Sequence, residues 1–273
     1  MKIAFQGELG AYSEQALRAY FGTEEEAVPL PHLEDVFAAV EAGKVDRCIV
    51  PVENSSAGSI YRTYDLLSEH PLNIIGEQYL KINHCLLALP DISRDQLKKV
   101  YSHSQALDQS RAFLSQLTIE EVPFYDTAGS AAWISREGNP EYAAVASALA
   151  AEHYNLQLMA ENIQTYKHNT TRFLVLSKEA VNPQGHCKTS MVFESKHIPA
   201  ALYKCLGGFA TNNINLSKME SRPTQTGMGR YRFYLDCEGH VDDPALSRAL
   251  TELEFFTSSL RILGSYPLGY IPE

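Results

Sequence analysis

The sequence predicts an α/β protein in two parts: a larger two-lobed α/β domain and a smaller α+β domain of βαββαβ order. Three observations predict it. From Met1 to Ser177 short apolar runs alternate with helical patterns, the rhythm of a wound α/β sheet. A polar stretch, Lys178–His186, then interrupts that rhythm with the turn cluster Asn182-Pro183-Gln184-Gly185. Beyond it the pattern becomes strand, helix, two strands, helix and strand, the order of a ferredoxin-like sandwich.

The first strand is Ile3–Phe5, followed by a helix over Glu14–Tyr20 for which Ser13 is the expected N-cap. Leu33, Val36, Phe37 and Val40 share one helical face, so Leu33–Val40 is read as a helix that buries it. Cys48–Val52 is the next strand. A second α/β set has strands at Lys99–Ser102, Glu121–Pro123 and Ala143–Ala146. Its helices are expected from about Gln105 to Leu117, from about Ser130 to Arg136, and through Ala151. Leu72–Leu89, long and nearly continuous in apolar character, is the expected crossover between the sets, with a second crossing near Thr165–Phe173. Two lobes result, residues 1–76 with 168–178 and residues 77–167, with a cleft between them.

After a linker at 179–187, a separate domain is expected over 188–273. Its strands are Thr189–Glu194, Ile214–Ser221, Tyr231–Cys237 and Leu260–Leu263, with a turn at Gly227-Met228-Gly229. Its helices are Pro199–Thr211 and Pro244–Phe256. The second starts after Asp243 and carries Leu246, Leu250, Leu253 and Phe256 at helical intervals. Such a sheet has one face without helices, a place for a second copy or a ligand.

Composition narrows the function. The 273 residues are 45% hydrophobic, ample for buried cores, and carry a formal charge of -10 with no basic block. That excludes a broad surface for tracking nucleic acid. An anionic ligand would have to be held by local donors against the overall field. The five cysteines are widely spaced with no Cys-x-x-Cys pair, which implies reduced thiols and a cytoplasmic protein. Met1–Phe5 already reads as strand, so no export signal is expected, and no apolar run reaches transmembrane length. His-Glu-x-x-His, zinc spacing, a Walker lysine loop and a nucleophile elbow are all missing from the sequence, so no metal is expected, and phosphate transfer and serine hydrolysis lack their minimal parts.

What remains is a set of loops that follow strands. Asn169-Thr170-Thr171-Arg172-Phe173 places a hydroxyl beside a guanidinium where the apolar strand Phe173–Leu176 begins. Ligands of open α/β sheets bind beyond strand ends, so this run has a mechanical reason to face the cleft. Gly7–Ser13 opens a helix after the first strand, and its glycines permit close backbone approach to an anion. Val50–Ser59 ends a buried strand in Glu53, Asn54 and Ser55, with Gly58 beyond. Ser102–Leu107, containing His103, Ser104 and Gln105, repeats the geometry in the second lobe, and Thr127–Ala131 opens a further helix. His103 is open to a capping, packing or acid–base role.

Taken together, Phe5-Gln6-Gly7 through Ala16, Pro51–Ser55 with Gly58, Ser102-His103 with Gln105–Leu107, and Asn169 with Thr171–Phe173 resemble prephenate dehydratase. Residues 188–273 resemble an ACT regulatory domain, with Ile214–Leu216 and Glu220-Ser221-Arg222-Pro223 where such domains bind phenylalanine. The resemblance implies a catalytic domain over 1–178 similar in architecture to type 2 periplasmic binding proteins. It implies conversion of prephenate to phenylpyruvate, carbon dioxide and water in phenylalanine synthesis, without a cofactor. Thr171 is the expected donor to the leaving hydroxyl. Tyr12, Ser13, Glu53, Asn54, Ser55, Gly58, His103, Ser104, Gln105, Asn169 and Arg172 are the expected substrate contacts, helped by the loop N–H groups at Gly10–Ser13, Ser55–Gly58 and Ser104-Gln105. In a regular strand Thr171 and Arg172 face opposite ways, so Arg172 either touches substrate or braces the motif.

The resemblance also implies feedback inhibition by phenylalanine between ACT domains of two subunits, hence a homodimer or homotetramer. The expected effector contacts are Ala200, Ala201, Leu202, Asn215, Leu216, Glu220, Ser221, Arg222 and Pro223. Ala200 departs from the family pattern, which has glycine there, and alanine resists conformations that glycine allows. Arogenate in place of prephenate, and a non-catalytic small-ligand sensor, are the alternative readings.

Overall fold

The computed structural model describes residues 1–224 and 230–272, so the expected turn at Gly227–Gly229 lies outside the described residues. The chain begins with β1 (Lys2–Gln6), α1 (Tyr12–Phe21), β2 (Glu26–Leu30), α2 (Leu33–Glu41) and β3 (Arg47–Asn54). A two-residue strand, β4 (Gly58–Ser59), folds back antiparallel onto β3. Then come α3 (Tyr61–Glu69) and β5 (Asn73–Lys81). The middle of the chain forms β6 (Cys85–Ala88), β7 (Lys99–Ser102), α4 (Ser104–Gln109), α5 (Arg111–Leu114), β8 (Glu120–Pro123), α6 (Thr127–Glu137), β9 (Tyr142–Ala146), α7 (Ala148–Tyr154) and β10 (Gln157–Ala160). β11 (Thr170–Ser177) returns the chain to the first sheet, whose order is β2-β1-β3-β11-β5, while the second sheet runs β10-β6-β9-β7-β8. By internal packing the chain forms two compact units, one of residues 1–60 and 78–173 with the C-terminal end from Ile271, the other of residues 61–77 and 174–270.

The local reasons for these elements are legible. On α2 the spaced residues Val36, Phe37 and Val40 are fully buried, which is the face the helical spacing marks. α6 starts where the Asp126 carboxylate accepts from Gly129 N at 2.6 Å, and ends at Gly138 in the left-handed region. α7 uses Ser147 as its N-cap, accepting from Ala150 N at 3.0 Å, and stops at Asn155 in the same left-handed region. Each such cap contributes about 1 kcal/mol.

Three expectations give way here. Ser13 lies inside α1, and Ala11 stands at the N-cap; the cap that α1 lacks is replaced by Glu14, whose Oε2 accepts from Gly10 N at 2.6 Å. The helix expected over 105–117 breaks at Ser110 into α4 and α5. The stretch Leu72–Leu89 is two strands separated by Ile82-Asn83-His84. β2, β4, α3 and β10 are elements that periodicity did not mark.

The second unit carries the βαββαβ order: β12 (Cys187–Ser195), α8 (Ala201–Thr211), β13 (Leu216–Pro223), β14 (Tyr231–Glu238), α9 (Pro244–Phe256) and β15 (Thr257–Pro267), in sheet order β13-β14-β12-β15. Its core gathers Met191 and Phe193 of β12, Phe233, Leu235 and Cys237 of β14, Cys205 and Phe209 of α8, and Leu246, Leu250 and Leu253 of α9. Each fully buried leucine contributes about 1.5–3 kcal/mol relative to exposure. Because strand side chains alternate, the residues between these face the other way. That face, expected to be free of helices, meets α3. Tyr234 Oη donates to Tyr64 O at 2.6 Å, Arg222 grips Asp65 through Nε at 3.1 Å and a second nitrogen at 2.9 Å, and Arg261 donates to Leu67 O and Leu72 O. Below it, Lys188 and Glu77 form a buried ion pair with both oxygens at 2.9 Å.

Ala200 stands at the N-cap of α8 with φ 57° and ψ 33°, a left-handed conformation that disfavours a Cβ. Ala200→Gly is therefore expected to stabilise the protein by about 1 kcal/mol, read as a higher denaturant midpoint. A lower midpoint would contradict the strain at this residue.

Candidate active site

Within the first unit the loop after β1 seats itself on α7. Gly10 has φ 85°, and a Cβ there would stand 2.6 Å from Ala150 Cα, so only glycine fits. Ser147 Oγ donates to Gly10 O at 2.5 Å and Tyr154 Oη donates to Leu9 O at 2.8 Å. The fully buried Glu14 carboxylate accepts from Gly10 N and from Arg18 Nε at 2.8 Å, with His153 Nε2 at 3.2 Å. These bonds fix the first turn of α1, which carries Tyr12 and Ser13.

A cavity of about 180 Å³ opens beside that turn. Of the expected substrate contacts, Tyr12, Ser13, Asn54, His103, Gln105 and Thr171 line it. Glu53, Ser55, Gly58, Ser104, Asn169 and Arg172 stand outside its wall. Thr171 and Phe173 line the cavity while the buried Arg172 between them does not, as strand alternation requires. Among the described residues no Lys, Arg, Asp or Glu lines it.

The expected anion cradle of loop N–H groups is largely occupied by the protein's own acceptors. Gly10 N donates to Glu14 and Ala11 N to Glu8 O. Ser55 N donates to Thr170 O, and Ser56 N and Ala57 N to Asn54 Oδ1. Gln105 N lies 3.3 Å from His103 Nδ1, which makes His103 a cap for α4. The Ser55 side chain is equally committed, donating to His168 O at 2.7 Å.

One chain of side-chain bonds organises the wall. The two backbone N–H groups of Ser56 and Ala57, at 3.0 and 2.9 Å, fix Asn54 Oδ1 as an acceptor, so Asn54 Nδ2 must donate. It donates to Asn169 Oδ1 at 2.8 Å and to Thr171 Oγ1 at 2.9 Å. Asn169 Nδ2 then donates to Gln109 Oε1 at 3.0 Å, and the same oxygen lies 2.8 Å from His84 Nε2. His84 Nδ1 in turn lies 2.8 Å from Tyr12 Oη, which also reaches Asn83 O at 2.9 Å. Burial holds the His84 imidazole below its ordinary pKa, partly offset by the bond to Gln109. Desolvation likewise raises the Tyr12 phenol well above its usual value, so it is a neutral donor.

His84 and Gln109 are wall residues that sequence reasoning missed. Their signals were slight: a polar Asn83-His84 pair inside an apolar stretch, and a glutamine next to the serine at which the helix breaks.

The expected effector residues divide between two further cavities of the second unit. Ala201 and Leu202 line one of about 430 Å³ with Lys196, His197, Arg230 and Tyr231. Arg222 and Pro223 line one of about 520 Å³ with Asp65, Ser68 and Arg232. Asn215 donates to Glu238 Oε1 at 2.7 Å, and Leu216, Glu220 and Ser221 lie on β13. Ala200 precedes Ala201 at the head of α8.

Comparisons with known proteins converge on one family. A family model described as prephenate dehydratase matches residues 3–181. Arogenate dehydratase/prephenate dehydratase 1, chloroplastic, of Arabidopsis thaliana is 42% identical over 288 residues, covering 99% of this chain and 73% of the relative. The structure of a prephenate dehydratase in complex with L-Phe from Arthrobacter aurescens is 30% identical with a TM-score of 0.91, covering 98% of this chain and 90% of the other. The structure of GqqA, described as a novel type of quorum quenching acylase, is 37% identical with a TM-score of 0.91, covering 98% of each chain.

Asn54→Ala removes the amide that joins the 55–57 turn, Asn169 and Thr171, and leaves buried polar groups without partners. The expected cost is about 1–3 kcal/mol in a denaturant titration. An unchanged midpoint would show that the amide chain does not hold the wall.

Proposed function

Since the chain belongs to the prephenate dehydratase family, we propose that it catalyses the decarboxylating dehydration of prephenate to phenylpyruvate, carbon dioxide and water in phenylalanine biosynthesis. The observation that carries the reading is Thr171: its Oγ1 accepts from Asn54 Nδ2 on a cavity wall, so its own hydrogen is free to point at a ligand. Aromatisation drives loss of the ring carboxylate, and the departing oxygen needs a hydrogen bond, which Thr171 supplies from the cavity wall.

Tyr12, Ser13, Asn54, His103 and Gln105 are proposed to contact the substrate. Asn169 and Arg172 hold the strand end from outside the wall, and Glu53, Ser55, Gly58 and Ser104 shape the loops behind it. Acylase chemistry, the activity named for GqqA, would need a hydroxyl of this wall bonded to a base if that hydroxyl were the nucleophile. Among the described residues neither Thr171 nor Ser13 is hydrogen-bonded to a histidine, which favours dehydration.

A second reading, arogenate as the substrate, is supported by the relative named for both activities.

We further propose catalytic residues 1–178, a linker at 179–187 and a regulatory domain at 188–273 that binds phenylalanine, the ligand of the Arthrobacter relative. The two groups of expected effector residues line separate cavities within one chain, so two copies are proposed to complete the site, in a homodimer or homotetramer.

Side-by-side assays of prephenate and arogenate, with and without millimolar phenylalanine, test these readings. The expected outcome is turnover of at least one substrate, inhibition by phenylalanine, and a ~10²–10⁴-fold loss in folded Thr171→Ala. Turnover unchanged in that variant would reject the role of Thr171.

A further inference from the structure

The reaction proposed above takes up one proton per turnover. The ring carboxylate leaves as carbon dioxide, its bonding pair enters the ring, the carbon–oxygen bond breaks, and hydroxide must become water. Thr171 can hydrogen-bond to that oxygen, but among the described residues its Oγ1 is bonded to the Asn54 amide alone, which has no proton to replace one that Thr171 gives away.

Resting on that dehydratase reading, we propose that His84 is the proton donor of the site, acting through the Tyr12 hydroxyl. The amide chain anchored on Ser56 N and Ala57 N makes Gln109 Oε1 an acceptor, so His84 Nε2 must carry a hydrogen. With a neutral ring, Nδ1 is then an acceptor. Tyr12 has one hydrogen and two acceptors in reach, His84 Nδ1 at 2.8 Å and Asn83 O at 2.9 Å, so one contact goes without. Protonation at Nδ1 gives every contact its own hydrogen: Nδ1–H to Tyr12 Oη, Tyr12 O–H to Asn83 O, and Nε2–H to Gln109.

The bonding is thus complete for the imidazolium, and only burial opposes it, with the residue 2% exposed. The titratable groups around the ring are Tyr12 of α1, Cys85 beside it on β6, and His103 at the head of α4. No charged side chain among the described residues lines the cavity. A bound dicarboxylate is the missing counter-charge, and its arrival draws the proton onto His84. In the reaction the Tyr12 O–H turns from Asn83 O to the departing oxygen and gives its proton there while Oη takes the one on Nδ1, and neutral His84 is recharged from water as the next dicarboxylate binds.

The experiment is the pH dependence of kcat for the wild type, His84→Gln and Tyr12→Phe on whichever substrate is turned over, with folding checked by circular dichroism. The wild type is expected to lose about tenfold in kcat per pH unit above the pKa of substrate-bound His84. Folded His84→Gln is expected to fall ~10²–10⁴-fold and to lose that alkaline limb. Tyr12→Phe keeps the ring but breaks the transfer, so it is expected to fall at least ~10²-fold with the limb retained. A folded His84→Gln with wild-type kcat or an unchanged limb overturns the proposal, and so does a Tyr12→Phe enzyme at wild-type rate, which decides the matter if His84→Gln does not fold. A wild type that turns over neither prephenate nor arogenate sinks the dehydratase reading and the donor with it. A working wild type beside unaffected variants sinks the donor alone.

Discussion

Two backbone N–H groups, those of Ser56 and Ala57, set the polarity of the whole cavity wall. By occupying Asn54 Oδ1 they force Asn54 Nδ2 to donate, and the direction then passes through Asn169 and Gln109 to the ring of His84. Amide side chains are ambiguous in isolation, because oxygen and nitrogen can exchange places. A backbone donor cannot be exchanged, so the orientation of four side chains follows from a tight turn after β3. The same amide holds Thr171 Oγ1, which ties the orientation of the hydroxyl to that of the histidine. Reaction geometry and fold are therefore linked at one residue.

The proposed reaction requires the chain to place an acidic ligand in an acidic protein. Its formal charge of -10 works against that, and the expected cradle of backbone donors proves to be largely internal. Neutral donors and two imidazoles remain on the wall. In a small cavity of low dielectric such groups act more strongly than in water, and an unpaired one costs more. The fit of the Gly10 loop to α7 serves this arrangement, since its backbone bonds and a buried carboxylate fix the turn of α1 that brings Tyr12 and Ser13 to the wall.

Much of this is legible in the sequence. The alternation of side chains along a strand already separated Thr171 from Arg172, and the structure puts the first on the wall and the second off it. The βαββαβ order and the buried faces of α2 and α9 followed from spacing, which depends only on neighbours in the chain. What stayed hidden depends on residues far apart in sequence. α3 is short, and its polar partners Arg222, Tyr234 and Arg261 lie more than a hundred residues away. His84 reads as an interruption of an apolar run, and only the meeting of α1 and α4 around it gives it Tyr12 and Gln109 as partners. Ser13 reads as a cap because its type favours one, but a carboxylate one residue later reaches Gly10 N instead.

The most direct measurement is a crystal structure with a cyclohexadiene dicarboxylate analogue of the substrate bound. The account expects the ring inside the cavity, with the oxygen that mimics the leaving hydroxyl within hydrogen-bond distance of both Thr171 Oγ1 and Tyr12 Oη. An analogue bound elsewhere on the protein, or one whose oxygen faces solvent while Thr171 and Tyr12 keep their present partners, would contradict it.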